Sequence, residues 1–432
     1  MLSARYRFRW LFEHGAPRLL LRAQSWRGDP FGKLTGSAEG LANPFPHIEE
    51  LRRRGKLVPN PIGFSTTDYE VTRTILRDDR WGVFTIHGVQ MPDAAHKMIR
   101  NAPIPPNPAE SPSMLLTDPP EHTRLRRSVQ SAFTPYAIAR LRTRVESVTK
   151  ELLDGLAAAE TPDLIRGFAA QVPVAIISEM LGFPDASRDE FLEWGDRITA
   201  LLDIGVSWPQ WRDAVESQMG MDGYLDRHIE KLRRDPGEDI LSSLVTAGDL
   251  SDHELKGTAA LLMGAGFETT VNLIGNGVYQ LLAHPDQLAL LRENPALWPQ
   301  AIEEILRFDS PVRITARMAL SDTEIAGTPL PAGTVVIMSI SGANRDPAVF
   351  DDPDVFDIER PNAKDHLGFS NGIHVCLGAA LARMEGVFAL RSLFDAFPDL
   401  SIEGPLEHRQ LVNLYGFSRM PVRLGQRADA RV

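Results

Sequence analysis

The sequence predicts a mainly α protein with a minor β part, folded as a single large domain. Three observations carry this. From Pro119 to Leu306, apolar residues recur at three-to-four spacing with little interruption. Strand-like pieces are short and confined to GKLVPNPIGFSTTD near the start and to Ala316–Ile340. No polar or low-complexity linker divides the 432 residues.

Taken in order, the first segment, MLSARYRFRWLFEHGAPRLLLRAQSWRG, is an Arg-rich amphipathic arm whose only acid is Glu13. Residues 1–42 are read as this arm packing on the domain formed by 43–432, with weak contact to a membrane surface as the second reading. Pro and Gly then punctuate short pieces, and NAPIPPNPAESPS (Asn101 to Ser113) is an irregular loop. LRRSVQSAFTPYAIARLRTRVESVTKELLDGL has helical spacing, and two further helices follow across a turn. SDHELKGTAALLMGAGFETTVNLIGNGVYQLLAHP opens with a capping box, Ser251 with Glu254, and is apolar all round, so it is a buried central helix. After the strand-like run the chain is rich in turns until Cys376, and a helix follows it.

Composition excludes several functions. One cysteine rules out an internal disulfide and any Cys-rich zinc or iron–sulfur site, and it fits a reducing cytoplasm. A net charge of −11 disfavours nucleic acid as a partner. No apolar run is long enough to span a bilayer.

That single cysteine lies in HLGFSNGIHVCLGAALARMEG (His366 to Gly386), flanked by Gly372 and Gly378. A lone Cys is either an inert buried thiol or a ligand. Glycines allow conformations and close approaches that a Cβ blocks, and a helix beginning just after the sulfur favours thiolate. In the long helix, Ala265-Gly266-Phe267-Glu268-Thr269-Thr270 is a poor helix-forming run. Its threonines can compete for backbone acceptors and open the helix locally, placing a hydroxyl and a carboxyl at the edge of a groove. Glu304 and Arg307 stand at i and i+3 and can pair.

Phe369 to Gly378 resembles the haem-ligand loop of the cytochromes P-450, matching at Phe369, Gly372, His374, Cys376 and Gly378, with Ser370 where the family has a glycine. Glu304, Arg307 and Arg360 resemble the family's E-x-x-R and its later arginine. The motifs, with NRDP at Asn344–Pro347, occur in the family's order over roughly 43–424. The resemblance implies haem b, with Cys376 as axial thiolate and sole metal ligand, Phe369 near the sulfur, and Gly378 in the loop. It implies that His122, Arg126, Arg317 and His374 bind the haem propionates, that Glu268 relays protons, and that Thr269 hydrogen-bonds bound dioxygen. Glu304, Arg307 and Arg360 would form a structural cluster.

The implied activity is a monooxygenase inserting one oxygen atom of O2 into an apolar small molecule of lipid, terpenoid, steroid or polyketide type. No G-x-G-x-x-G follows a strand, so electrons are expected from a separate ferredoxin with its NAD(P)H-dependent reductase, docking near Arg124, Arg127 and Arg383. Phe84, Ile86, Met263, Phe267, Val312 to Thr315, Tyr415 and Phe417 are candidates for the substrate wall, with core packing as the competing reading. A peroxide-driven peroxygenase and a non-catalytic haem sensor are the alternatives; Glu268–Thr269 weighs against both. A Cys/His hydrolase is disfavoured because His374 and Cys376 are too close in one loop to orient as a pair.

Overall fold

A helix of 32 residues, Asp252–Ala283, runs through the centre of the computed structural model, which describes residues 2–85, 97, 99, 101–110, 112–184 and 188–428. Ser251 caps it: its hydroxyl accepts the Glu254 N–H, and the Glu254 carboxylate accepts the Ser251 N–H at 2.8 Å. Helices Gln171–Met180, Arg188–Ile198, Trp298–Phe308 and Ala379–Ala396 pack around it, burying nearly every face. Midway along the helix Ala265, Gly266 and Thr269 keep accessible surface, as do residues near its two ends.

The helical pattern from Leu125 to Leu156 resolves into two helices, Glu121–Gln130 and Pro135–Ala158. Pro135 cannot continue the first because it lacks an N–H, but it suits the first turn of the second, where Thr134 accepts the Ala137 N–H. Periodicity alone does not show this break.

The main sheet has five strands in the order Val58–Asn60, Gly63–Thr66, Val335–Ser339, Ile314–Ala319, Trp81–Val83. Gly63–Thr66 and Val335–Ser339 are parallel and the other neighbours antiparallel. A small hairpin, Thr323–Ile325 with Thr328–Leu330, completes the strand-like run found in the sequence. Two ribbons near the end were not expected: Glu407–His408 with Phe417–Arg419, and Ser401–Ile402 with Val422–Arg423. Strands of two or three residues are too short to show alternation.

The arm is built into the protein. It is helical from Ala4 to Trp26, with a π-helical turn at Leu11–Gly15. Leu21, Phe31 and Leu34 share one apolar cluster with Ile48, Leu51 and the sheet residues Ile314, Val335 and Ile337. No packing boundary separates residue 42 from 43.

Candidate active site

Cys376 sits in a tight loop before helix Ala379–Ala396. Its N–H donates to the Phe369 carbonyl at 2.9 Å. Gly372 has φ +69°, and a Cβ there would lie 2.2 Å from the Leu76 carbonyl oxygen, so the loop requires glycine at this point. Ser370 also has positive φ, +62°, the conformation that the family glycine it replaces would adopt freely. Gly378 differs from expectation: its φ is −85° and a Cβ would meet no protein atom within 4 Å. The backbone does not require glycine there, and the space beside it is open.

The thiol is accessible, yet protein surrounds it on almost every side, so its accessible face is the wall of an internal cleft. Burial pushes its pKa up, against the Gly378 N–H and the nearby Arg126 and Arg383. The helix terminus therefore does not by itself make a thiolate, contrary to the sequence reading, because desolvation outweighs it. Among the described residues no group of three His, Cys, Asp or Glu could hold a metal ion. A metal on this sulfur must bring most of its ligands with it, as a porphyrin does.

The four expected anion-binding residues converge. The His122 and His374 rings lie 4.2 Å apart between centroids. Both ring nitrogens of His122 and Nε2 of His374 are buried without a hydrogen-bond partner. Arg126 donates to the Val375 carbonyl at 2.8 Å, and Arg317, on strand Ile314–Ala319, among the described residues reaches only its own strand, at Ala316 O (2.8 Å) and Thr315 Oγ1 (3.4 Å). Burial, then Arg317, His122 and Arg126, push His374 down to about 3; burial brings Arg317 down to about 10. Unsatisfied buried polar groups are costly, and two unpartnered imidazoles beside two arginines are stabilised by an anion. The orphaned nitrogens, the open space at Gly378 and the accessible sulfur together fit a flat macrocycle carrying two carboxylates.

Beneath the loop, Glu304 and Arg307 are fully buried and pair through two bonds, Nε to Oε2 at 2.7 Å and NH2 to Oε1 at 2.8 Å. Arg360 Nε approaches Glu304 Oε1 at 3.3 Å, and the Asp357 N–H donates to the same oxygen at 2.9 Å. The remaining Arg307 and Arg360 donors are taken by backbone carbonyls, including Asn344 O and Pro353 O for Arg307 and Asp351 O and Asp352 O for Arg360. Glu303, the neighbouring acid, meets Arg383 at 2.6 Å and His366 at 3.2 Å. Although burial opposes it, these two partners hold Glu303 down at about 2. The Arg383 guanidinium also covers the Phe369 ring at 4.5 Å, so Phe369 is clamped from outside. Arg124 is engaged likewise, with Glu121 and Glu254. Of the three arginines expected to offer docking charge, two are thus committed to ion pairs within the protein, because acids stand on the helices beside them.

On the long helix, Thr269 faces the accessible stripe and donates its hydroxyl to the Ala265 carbonyl at 2.8 Å. The helix is not opened here; the hydroxyl shares an acceptor one turn back and the α-helical run continues. Glu268 points elsewhere. It is fully buried and ion-paired with Arg409, which also meets Asp196 at 2.5 Å. Besides Arg409, the Asn272 side chain is the other polar group at the Glu268 carboxylate. Burial raises Glu268 to about 7, against the attraction of Arg409. Asp196 is half exposed, so the three side chains run from the interior to solvent. Arg409 went unnoticed in the sequence, where it is one arginine in a C-terminal turn with no spacing that links it to Glu268. Thr270 is buried and its hydroxyl bonds Glu385, whose pKa burial pushes up to about 8.

The residues suggested for the substrate wall fall in different surroundings. Phe267 is buried against helix Arg188–Ile198, where a Cβ on Gly195 would be 2.7 Å from its ring. Phe417 is buried between Tyr279 (5.2 Å) and His408 (4.5 Å). Tyr415 lies under the Arg313 guanidinium at 3.5 Å. Phe267 and Phe417 are core residues and Tyr415 is half-buried, since an apolar pattern marks a buried face without saying what lies opposite. Phe84 and Val312 are half-buried and Met263 is buried in the main core. Ile86 lies outside the described residues.

Comparison with known proteins agrees with this geometry. The family profile described as "Cytochrome P450" matches residues 95–399. The chain is 42% identical over 427 residues to cytochrome P450 140 of Mycobacterium tuberculosis, covering 96% of this chain and 97% of that protein. It is 42% identical over 339 residues to the vitamin D(3) 25-hydroxylase of Pseudonocardia autotrophica, covering 76% of this chain and 81% of the other. The crystal structure of P450BioI with hexadec-9Z-enoic acid ligated acyl carrier protein superposes with a TM-score of 0.81 at 33% identity, covering 90% of this chain and all of that one.

Proposed function

Because the chain belongs to the cytochrome P450 family, a family of haem b monooxygenases, we propose that it oxygenates an extended apolar molecule through haem held at Cys376. The carrying observation is the buried cluster beside an accessible thiol: His122 and His374 with unpartnered ring nitrogens, and Arg317, whose hydrogen bonds go to its own strand. Haem b, when bound, activates dioxygen and delivers one of its oxygen atoms to the substrate. The chain supplies the rest.

Cys376 Sγ would hold the haem iron, and the Gly378 N–H with Arg126 and Arg383 would offset the charge of its thiolate. His122, Arg126, Arg317 and His374 take the two propionates. The Thr269 hydroxyl, which donates to the Ala265 carbonyl, would present its free lone pair on the accessible stripe to a proton donor. Glu268, with a pKa of about 7, holds a proton near neutrality, and release from Arg409 frees it to turn toward Thr269. Asp196 and Arg409 lead from that carboxyl to solvent.

Electrons come from a separate ferredoxin and its NAD(P)H-dependent reductase. For the substrate, two relatives whose names state a ligand support a long apolar molecule, vitamin D(3) in one case and a hexadecenoyl chain in the other, while others name testosterone and 6-deoxyerythronolide B. The test is turnover of long-chain fatty acids and secosteroids with ferredoxin, reductase, NADPH and isotopically labelled dioxygen. One labelled oxygen in the product is expected. Product formed only with hydrogen peroxide, carrying no label from dioxygen, overturns the reading.

A further inference from the structure

The N-terminal helix carries a surface that the oxygenation chemistry does not use. Along Ala4–Trp26 the apolar residues Phe8, Leu11, Phe12, Leu19, Leu20 and Trp26 are exposed, Leu19 at 65% and Trp26 at 86%. Isolated exposed apolar residues are ordinary, but six on one helix form a stripe. Arg5, Phe8 and Phe12 follow at i, i+3 and i+7, and so do Leu19, Arg22 and Trp26, which sets arginines among the apolar residues.

Charge is segregated as well. Residues 1–28 hold six arginines and one acid, in a chain whose net charge is −11. That acid, Glu13, is buried and paired with Arg9. Arg7 lies over the Trp208 ring and Arg18 donates to Gly205 O. Arg5, Arg22 and Arg27 are exposed, and among the described residues no acid pairs with them.

The opposite face is fixed to the protein. Buried Arg9 binds Glu13, Glu110 and the Ala102 carbonyl, Tyr6 donates to Pro103 O at 2.9 Å, and Trp10 donates to Val206 O at 3.0 Å. The helix is therefore held rigidly with its arginine-lined apolar stripe outward.

We propose that this stripe docks on an anionic lipid surface. Apolar side chains enter the headgroup boundary while Arg5, Arg22 and Arg27 extend to lipid phosphates. A second copy of the chain is a poorer occupant, because apposing two such faces brings six unpaired arginines together. The helix lies on the bilayer: among the described residues no helix is long and apolar enough to cross one.

Docking has a consequence for the site. Ala102, Pro103 and Glu110, which hold the arm, flank Pro106 and Pro108, and these lie over Gly257 and Gly264 of the long helix, 3.6 and 3.1 Å from where a Cβ would stand. The arm thus sets the segment over the central helix next to the membrane, a source of apolar molecules.

The experiment is flotation of the full-length holoprotein with vesicles of phosphatidylcholine alone or mixed with phosphatidylglycerol. Binding is expected only to the mixed vesicles and is expected to weaken with added salt. Removing each arginine charge should cost about fivefold in affinity, so the triple variant Arg5→Gln, Arg22→Gln, Arg27→Gln should lose about a hundredfold. Leu19→Ser with Trp26→Ser should also release the protein, with the haem absorbance unchanged to show that the fold persists. No binding to the mixed vesicles, or binding that both variants leave intact, overturns the proposal. So does a concentration-dependent dimer in sedimentation that the Leu19→Ser, Trp26→Ser variant abolishes, since a second copy would then cover the stripe.

Discussion

On the cysteine side, Glu304 is fully buried with Arg307 and Arg360 closing on its oxygens; on the long-helix side, Glu268 is as deeply buried but meets one arginine, shared with a half-exposed aspartate. The first acid has its charge matched by short bonds at 2.7 and 2.8 Å, with a backbone N–H completing the set. The second has a single ion pair and the Asn272 side chain, and a pKa raised to about 7. A fully satisfied buried ion pair fixes a framework, because moving either partner strands a charge. An undersatisfied one near its titration point can exchange a proton and change partner at small cost. The two acids are similar in burial and opposite in use, and what separates them is how many donors surround each one.

The comparison breaks most visibly at Arg307. Arg307→Ala leaves Glu304 only Arg360 and the Asp357 N–H on Oε1 and nothing on Oε2, and is expected to destabilise the protein by about 3 kcal/mol, with loss of bound haem, read by chemical denaturation and haem absorbance. Retained stability would mean that the backbone carbonyls, rather than the ion pair, hold this region.

Glu268 gives the next effect, in the pH dependence of stability. Its carboxyl binds a proton more tightly folded than unfolded, since burial raises the pKa from 4.5 to about 7. This contribution is therefore fully favourable below about pH 4.5 and declines as pH rises through about 7. Denaturation of the wild type and of Glu268→Gln across that window should differ by about 3 kcal/mol in pH-dependent stability, with the variant lacking the decline. Parallel curves would place the titration elsewhere.

In turnover, Glu268→Gln is expected to lower the rate by about a hundredfold while leaving the substrate-induced absorbance change intact. Arg409→Gln should act more gently. It removes the attraction that holds the Glu268 pKa down, so the limb of the rate profile assigned to Glu268 should move to higher pH with a modest change in maximal rate. An unmoved limb would show that Arg409 does not act through Glu268.

The smallest effect sharpens the cysteine side. Ser370 occupies φ +62°, where a side chain is strained, and Ser370→Gly is expected to stabilise by about 1 kcal/mol in thermal or chemical denaturation.

The same contrast explains how much the sequence revealed. Glu304 and Arg307 pair across one helical turn, and Gly372 with Cys376 lies in one loop, so local spacing carried them. Arg360, His122 and Arg317 needed the order of motifs along the chain, and their convergence follows it. Arg409 could not be read because its contact with Glu268 arises when the C-terminal ribbon folds back on the long helix. Phe267 and Phe417 were misread for a related reason. The apolar period of a helix or strand identifies the buried face, but the notch at Gly195 and the ring of Tyr279 that fill against them belong to distant segments. Pro135 was visible as a residue but not as a boundary, because the apolar spacing continues across it.

The most direct test of the account is the absorbance of the protein reduced under carbon monoxide, compared with Cys376→Ala. The wild type is expected to show the long-wavelength Soret band of thiolate-ligated haem, and the variant to lose it while keeping its secondary structure. The same band in Cys376→Ala, or no haem band in the wild type after hemin reconstitution, would contradict the assignment of Cys376 as the haem ligand.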